Sequence, residues 1–480
     1  MNRNFDTDVQ LLKYKVLKAV SKRAFEGNLE QSYYEIPKEI IPGNKATMRC
    51  CVYKERAILE ERVRMAMGGD PENPNVIQVI GIACDECPVH RVTVGESCRG
   101  CIAHRCQNAC PKGAISIVNR RATIDHSKCV ACGKCAQVCS YGAIQVQDRP
   151  CERSCKVGAI RMDSTEGEEK AVINNEKCIS CGSCVYQCPF GAIVDKSFIL
   201  DTIRMIKESD GNRNYKMYAV IAPAISSQFA YAKIGQIVTG IKQLGFHEVV
   251  EAALGADMAA YSEAAELAEK GFLTSSCCPA FVSYVEKFFP QMKEHVSHNP
   301  SPMALIAKYI KETDPTGKVV FIGPCTAKKM EFQKESVHPY VDCVITFEEL
   351  QALLDSRDIE PENLEESVLD NASYYGRIFA RSGGLSTAVD EALKERSIEF
   401  TVKPEICDGI EQCKLALLKA SKGLLKDANF IEGMACVGGC IGGAACLTHG
   451  PKDKNEVDKY GRLAMEKGIT DALLVTQLSK

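Results

Sequence analysis

Sixteen cysteines between positions 84 and 188 are spaced for metal chemistry. Cys129-x2-Cys132-x2-Cys135-x3-Cys139 and Cys178-x2-Cys181-x2-Cys184-x3-Cys188-Pro each place three thiols on one tight loop and a fourth just beyond it. Three thiolates on such a loop reach three corners of one 4Fe-4S cubane, and the fourth corner comes from elsewhere. Cys98-x2-Cys101-x4-Cys106-x3-Cys110-Pro is the same pattern with a two-residue insertion. A further repeat keeps Cys151-x3-Cys155 but lacks the leading pair, and Cys84-x2-Cys87 upstream has the missing spacing. Zinc is the bland alternative for an isolated Cys-x2-Cys, but a zinc site closes at four ligands and has no use for a third thiol so spaced.

In two-cluster bacterial ferredoxins, which these spacings match, the fourth ligand comes from the other repeat. The expected sets are then Cys98/101/106 with Cys139, Cys129/132/135 with Cys110, Cys178/181/184 with Cys155, and Cys84/87/151 with Cys188. Spacing fixes the first three. The fourth takes what is left, and His90 or His104 could replace a thiolate in it, or Cys84 and Cys87 could bind something else. The layout resembles the multi-cluster electron-transfer subunits of molybdopterin oxidoreductases, where one ferredoxin fold is split by another. Three to four accessory clusters are expected.

The elements that hold these thiols are short. Four segments end alike, as Cys110-Pro-Lys-Gly-Ala-Ile, Cys139-Ser-Tyr-Gly-Ala-Ile, Cys155-Lys-Val-Gly-Ala-Ile and Cys188-Pro-Phe-Gly-Ala-Ile. Each Gly-Ala-Ile leaves a loop and enters a strand, with Asn119-Arg120 and Glu166-Gly167-Glu168 where such strands turn. Before them, residues 8–26 read as an amphipathic helix capped by Asp8 and stopped by Gly27, and a second helix runs from about Val52 to Met67. Cys50-Cys51 reads as a packed or reactive thiol pair. A polar helix follows at about 196–208, then the linker Ser209–Asn212. From about 215 strands and helices alternate, with strands near 218–222, 319–322 and 344–346 and helices near 279–289, 347–355 and 386–394, the pattern of a parallel α/β sheet.

Composition limits the function classes. The 480 residues carry 59 basic and 62 acidic side chains, a formal −3, so no basic excess argues for nucleic acid. The same near-neutral total offers no obvious docking patch. Hydrophobic content of 45% is that of a globular chain. The N-terminus has no apolar h-region, and no apolar run reaches 18 residues, so a cytoplasmic protein without membrane spans is expected. In a reducing compartment 27 cysteines read as ligands or catalysts, and an odd count leaves one unpaired.

Three C-terminal segments carry a resemblance. Thr274-Ser-Ser-Cys277-Cys278-Pro-Ala280, Gly323-Pro-Cys325-Thr-Ala-Lys328-Lys-Met-Glu331 and Glu432-Gly-Met434-Ala-Cys436-Val-Gly-Gly439-Cys440 resemble the three signature motifs of FeFe-hydrogenases, in order and approximate separation. The resemblance covers about residues 84–450. It implies that Cys278, Cys325, Cys436 and Cys440 hold a 4Fe-4S cluster, with Cys440 bridging to a two-iron subcluster bearing CO, cyanide and an azadithiolate, together the H-cluster. It implies that Lys328 donates to a cyanide, that Met434 packs near the bridging carbonyl, and that Cys277 relays protons. Glu263, Ser297 and Glu266 stand at the family's relay positions, with Lys270 where an arginine is usual. Taken singly, Glu263 and Glu266 are the polar face of a helix.

The chain also departs from the pattern. It has Ala280-Phe281 and no tryptophan, Gly323 where methionine is usual, Ala224 where serine is usual, and Gly443-Ala444-Ala445 at the end of the third motif. These changes resemble the clostridial branch called group B. Cys343, Cys407, Cys413 and Cys446 match no ligand and read as small buried hydrophobes.

The expected architecture is an α+β multidomain chain. It comprises a small helical N-terminal region (1–78), ferredoxin-like 4Fe-4S repeat domains (79–195), a helix and linker (196–214) and a two-lobed α/β hydrogenase domain (215–480) with its site between the lobes. The resemblance implies an enzyme that reversibly oxidises H2 and reduces protons, exchanging electrons with ferredoxin or a similar small carrier. H-cluster maturation proteins are the other implied partners. The alternative is a hydrogenase-like H2 sensor or iron-sulfur assembly protein without significant turnover. A pure polyferredoxin leaves residues 215–480 without a role.

Overall fold

In a computed structural model, which describes residues 3–163 and 170–476, two parallel sheets form the larger part of the chain. The first has four strands in the order Glu248–Glu251, Met217–Ile221, Lys318–Gly323, Cys343–Thr346. The second has three, in the order Leu273–Thr274, Phe430–Met434, Pro404–Asp408. Strands Cys343–Thr346 and Phe430–Met434 are buried throughout, which is why they read as apolar runs without alternation. The helix Ala252–Lys270 lies against the helices Pro302–Thr313 and Gly384–Glu395. Its close approach is made by small residues. A Cβ on Gly255 would stand 2.1 Å from the Pro302 carbonyl oxygen.

The cysteine-rich part is one unit nested inside another. The outer unit pairs Val92–Val94 with Ile144–Val146 and Ile115–Val118 with Arg121–Ile124, all antiparallel. The inner unit pairs Ile77–Val79 with Ile193–Asp195 and Ile160–Asp163 with Lys170–Ile173, again antiparallel. Chain order is therefore inner strand, whole outer unit, remainder of the inner unit. Every Gly-Ala-Ile does enter a strand. Asn119 and Arg120 make the expected turn with φ of 48° and 59°. The turn expected at Glu166-Gly167-Glu168 lies outside the described residues.

The repeats share their strained backbone positions. Gly100, Ala131 and Ser180, each two residues after a Cys, have φ of 56°, 52° and 54°. His104, Gly133 and Gly182 open the next short helix with φ of 40°, 74° and 76°. Left-handed residues cost roughly 1–2 kcal/mol where a side chain is present, so Ala131, Ser180 and His104 pay for a loop shape that turns three thiols inward.

The N-terminal helix Asp8–Glu26 is capped by Thr7, not Asp8. The Thr7 hydroxyl accepts from the Gln10 N–H at 3.2 Å, and Asp8 occupies the first turn, where a carboxylate suits the helix dipole. The helix packs across Phe347–Ser356, so the N-terminal region leans on the hydrogenase-like part as well as on the inner unit. Arg3 and Tyr14 both bond Asp355. The polar helix begins at Ile199 rather than 196, because Asp195, Lys196 and Ser197 are drawn into buried contacts. Cys50 and Cys51 are exposed, which removes the packed reading of that pair. No helix among the described residues is long and apolar enough to cross a membrane.

Candidate functional site

All three C-terminal motifs begin where a parallel strand ends, the position at which α/β sheets gather their sites. Cys278 follows Leu273–Thr274 and precedes the helix Pro279–Phe288. Cys325 follows Lys318–Gly323 and precedes Thr326–Glu331. Cys436 follows Phe430–Met434, and Cys440 opens the single turn Cys440–Gly442. Close backbone contact demands glycine here. A Cβ on Gly442 would stand 1.9 Å from the Val437 carbonyl oxygen, and one on Gly433 would strike the Phe281 ring at 2.4 Å. Phe281 is thus wedged flat against the third motif. Gly323 is likewise boxed in by the Phe321 ring and the Ala222 Cβ, which leaves no room for a methionine.

The four thiols lie close enough to disturb one another. Burial pushes Cys325 up to about 11, and Cys278 adds to it. Burial, then Cys325 and Cys278, push Cys440 up to about 12, although Cys440 is the most accessible of the four. Cys436 is raised by burial and by Cys325, Cys278, Cys181 and Cys440. The donor set is all thiol, crowded and poorly able to ionise unaided. It fits a polynuclear iron–sulfur group, whose cations take thiolates and release the protons.

The accessory cysteines sort in the same way. Burial raises Cys106, with Cys139 and Cys101 adding, and raises Cys135, with Cys129 and Cys110 adding. Burial raises Cys184, reinforced by Cys181, Cys178, Cys155 and Cys151. Burial takes Cys151 up to about 12, with Cys188 and Cys87 among the reinforcing groups, and Cys87 feels Cys188 and Cys84. Each expected set of four is therefore represented by mutual neighbours. His90 is engaged elsewhere, stacked on His126 at 3.6 Å between ring centres. Cys181 feels Cys278 as well, so the inner unit abuts the catalytic motifs. In all four Gly-Ala-Ile segments the Ala N–H donates to the Sγ of the cysteine four residues before it, at 3.2–3.3 Å. Among the described residues, no three His, Cys, Asp or Glu side chains close on one point as a single ion requires.

Beside the motifs lies a polar line that leads outward. The Cys277 thiol is pushed well up by burial, then by Glu263, Cys278 and Cys440. Glu263 is 1% exposed. Its Oε1 accepts from the Ser276 N–H at 3.4 Å and the Ser276 hydroxyl at 3.3 Å, while Oε2 is buried without a partner. Burial lifts the Glu263 carboxyl to about 7 against the pull of Ser297 and Ser276. The Ser297 hydroxyl donates to Glu266 at 3.1 Å. Burial works to raise Glu266, but Lys270 at 2.7 Å and the His298 N–H outweigh it and hold its carboxyl low. His298 stands at the surface end, 3.1 Å from Glu266. Ser276, Asn299 and His298 were not singled out in the sequence. Only Ser276, beside Cys277 in the first motif, carried a signal that could have found it.

The Lys328 ammonium donates to Glu331 at 2.6 Å and to the Cys277 carbonyl at 3.4 Å. Met434 is 2% exposed at the end of its strand. Cys343, Cys407, Cys413 and Cys446 are buried, as read, and three of them donate to backbone carbonyls of Phe198, Met434 and Ile441. A feature with no sequence signal lies between the inner unit and the first sheet. Lys13 bonds Asp195 at 2.6 Å and Glu348 at 2.5 Å, while Lys329 bonds Asp195 at 2.8 Å and Glu349 at 2.9 Å. Lys329 is fully buried.

Residues 215–444 match the family described as iron only hydrogenase large subunit, C-terminal domain, and residues 97–143 and 149–192 each match a 4Fe-4S dicluster domain. The chain is 28% identical over 409 residues to Iron hydrogenase 1 of Clostridium pasteurianum, across 72% of this chain and 69% of that one. It is 38% identical over 91 residues, 19% of each chain, to the cytosolic Fe-S cluster assembly factor NAR1 of Kluyveromyces lactis. A solved apo FeFe-hydrogenase HydA1 from Chlamydomonas reinhardtii aligns with TM-score 0.47 and 19% identity, over 58% of this chain and 95% of that one.

Proposed function

The chain belongs to the iron-only hydrogenases, and from that membership we propose that it interconverts H2 with two protons and two electrons, exchanging the electrons with a small ferredoxin-type carrier. Cys278, Cys325, Cys436 and Cys440 are the residues that hold the H-cluster. When bound, that group supplies an open iron at which H2 forms or splits and an amine that exchanges the proton. The Cys277 thiol, adjacent to a ligand but not itself one, takes and returns that proton. Glu263 receives it: its carboxyl, poised near 7, can hold or release a proton at neutral pH. Ser276 and Ser297 bridge to Glu266, and Lys270 and His298 pass the proton to water. Lys328 is the cation that faces the anionic ligands, and Met434 lines the same pocket.

The observation that carries this reading is the convergence of four crowded thiols beside Cys277 and the half-unpaired Glu263. The four accessory sets support a wire that ends against the site at Cys181. Infrared spectra of anaerobically matured protein test it. Intrinsic CO and cyanide bands are expected, and their absence in protein whose 4Fe-4S clusters are full would refute the reading. Iron should total roughly 22 atoms per chain, while roughly 18 would remove the Cys84/87/151/188 set. The stretch similar to NAR1 favours one second reading, a cluster-assembly relative without turnover. Matured protein that shows the bands but evolves no H2 from reduced methyl viologen would establish it.

A further inference from the structure

The near-neutral charge of the whole chain conceals a strong asymmetry. Residues 97–143 carry seven basic side chains, Arg99, Arg105, Lys112, Arg120, Arg121, Lys128 and Lys134, against a single acid, Asp125. That is a formal +6 within a chain of −3, so everything else totals −9. Widening the window to 91–148 adds Arg91, Glu96 and Asp148 and still leaves +5. All seven basic side chains are exposed. Lys128 pairs with Asp125, and none of the other six has an acidic partner among the described residues.

The same unit brings thiols to the surface. Cys101 and Cys132, one from each outer set, are exposed, whereas no cysteine of the two inner sets is. Apolar side chains stand beside them in water: Ile102 next to Cys101 is 98% exposed, and Val130 is 57% exposed. Around Cys101 the charges are contiguous. Arg99 and Arg105 flank its loop, and Arg120 is brought in from the hairpin turn, where its backbone presses on Gly100. An exposed metal ligand within an apolar tip and a ring of unpaired cations is a surface arranged for a protein, since a lone ion needs no apolar contact.

We infer that the outer unit, centred on Cys101 with Arg99, Arg105 and Arg120, is the docking surface for an acidic electron-carrier protein. The inference rests on the carrier exchange proposed above and adds where it happens and what charge the carrier has. Each encounter oxidises the reduced carrier by one electron and reduces an outer cluster by one. Two encounters and two protons yield one H2. The cationic ring raises the encounter rate and releases the carrier as salt increases.

The test uses full-length matured protein, an acidic bacterial two-cluster ferredoxin as donor, and reduced methyl viologen as a donor that needs no protein surface. The Arg99→Glu/Arg105→Glu/Arg120→Glu variant, with wild-type iron content, should raise KM for ferredoxin about tenfold or more at low ionic strength. Its viologen-driven rate should equal that of wild type. Rising salt should slow ferredoxin-driven turnover in wild type and hardly change it in the variant. The corresponding Gln variant, which neutralises without reversing charge, should fall between. Unchanged KM and salt slope would overturn the inference, as would equal exchange with a basic cytochrome. If wild type evolves H2 from viologen but not from ferredoxin, the carrier reading and this surface fall together. If it evolves none from viologen, the hydrogenase reading alone falls. The surface is then judged by titration with oxidised ferredoxin, which the charge reversal must weaken.

Discussion

The outer and inner cysteine units are built from one repeat and placed in two environments. They share the left-handed backbone positions, the Ala N–H donated to sulfur, and the paired hairpins. They differ in what surrounds them. The outer unit encloses a small core of its own, with Val92, Ile115, Ala122, Ile124, Cys135 and Ile144. The inner core also takes in Ile58 and Met65 from the N-terminal region, and Met330 packs on it from the second catalytic motif. At Cys139 in the outer unit burial raises the thiol, but the N–H groups of Ala143, Tyr141, Ile144 and Gly142 outweigh it, so it ionises more readily than usual. At Cys181 in the inner unit burial wins and lifts the thiol to about 12. Residues 97–143 carry +6, and residues 149–192, with six bases and six acids, carry none. A local motif therefore fixes which cluster is held, while its setting decides whether that cluster meets partners or only its neighbours.

The largest expected effect comes from removing one ligand in each setting. Cys181→Ala and Cys132→Ala should each lose about four irons. The inner change should also loosen the junction with the catalytic motifs and lower the main thermal transition. The outer change should leave that transition in place, because its core is separate. Equal transitions in calorimetry would break the distinction. Next comes the proton line, which serves electrons from either entry point. Glu263→Gln should slow H2 evolution about 10²–10⁴-fold with viologen and ferredoxin alike, and a loss confined to one donor would contradict this.

Glu263 also sharpens the picture through pH. Its folded value of about 7 lies above the ordinary 4.5, so the neutral form favours folding and that stability is lost as pH rises through 7. Wild type and Glu263→Gln should melt alike near pH 5, and the variant should melt higher at pH 8. A smaller effect is expected at the inner junction, where Lys329→Met leaves Asp195 and Glu349 buried with fewer cations, at a cost of about 3–5 kcal/mol. The melting transition should fall while the outer hairpin keeps its hydrogen-exchange protection. Smallest is Asn119→Ala in the outer turn, about 1 kcal/mol, since alanine tolerates positive φ less well. That change should appear in the exchange of residues 115–124 and nowhere in turnover.

What could be read in advance follows how local the cause is. The thiol spacings were legible because a cubane constrains residues a few positions apart, and the buried strands because parallel pairing demands apolar runs. Glu263, Glu266 and Ser297 were reached through resemblance, since a helix face alone explains the two acids. The remainder depends on distant chain segments. Nothing near Lys13 announces Asp195 and Glu348, and nothing near Ile77 announces its pairing with Asp195. Thr7 displaced Asp8 as cap because both can serve, and one residue of frame is below what periodicity resolves. Asn299 and His298 join Glu266 only because the Ser297 loop folds back along the long helix.

The nesting of one cysteine unit within the other also sets an order of events as the chain is made. When Ile144–Val146 leaves the ribosome the outer unit has all its strands and all eight of its thiols. Cys84 and Cys87, synthesised earlier, must still wait for Cys151 and Cys188, and Ile77–Val79 for Ile193–Asp195. The oldest cysteines are thus among the last to be satisfied, and the inner unit closes like a clasp over an insert already finished. Nascent chains stalled just beyond residue 146 should accept about eight irons, and those stalled beyond 195 about sixteen.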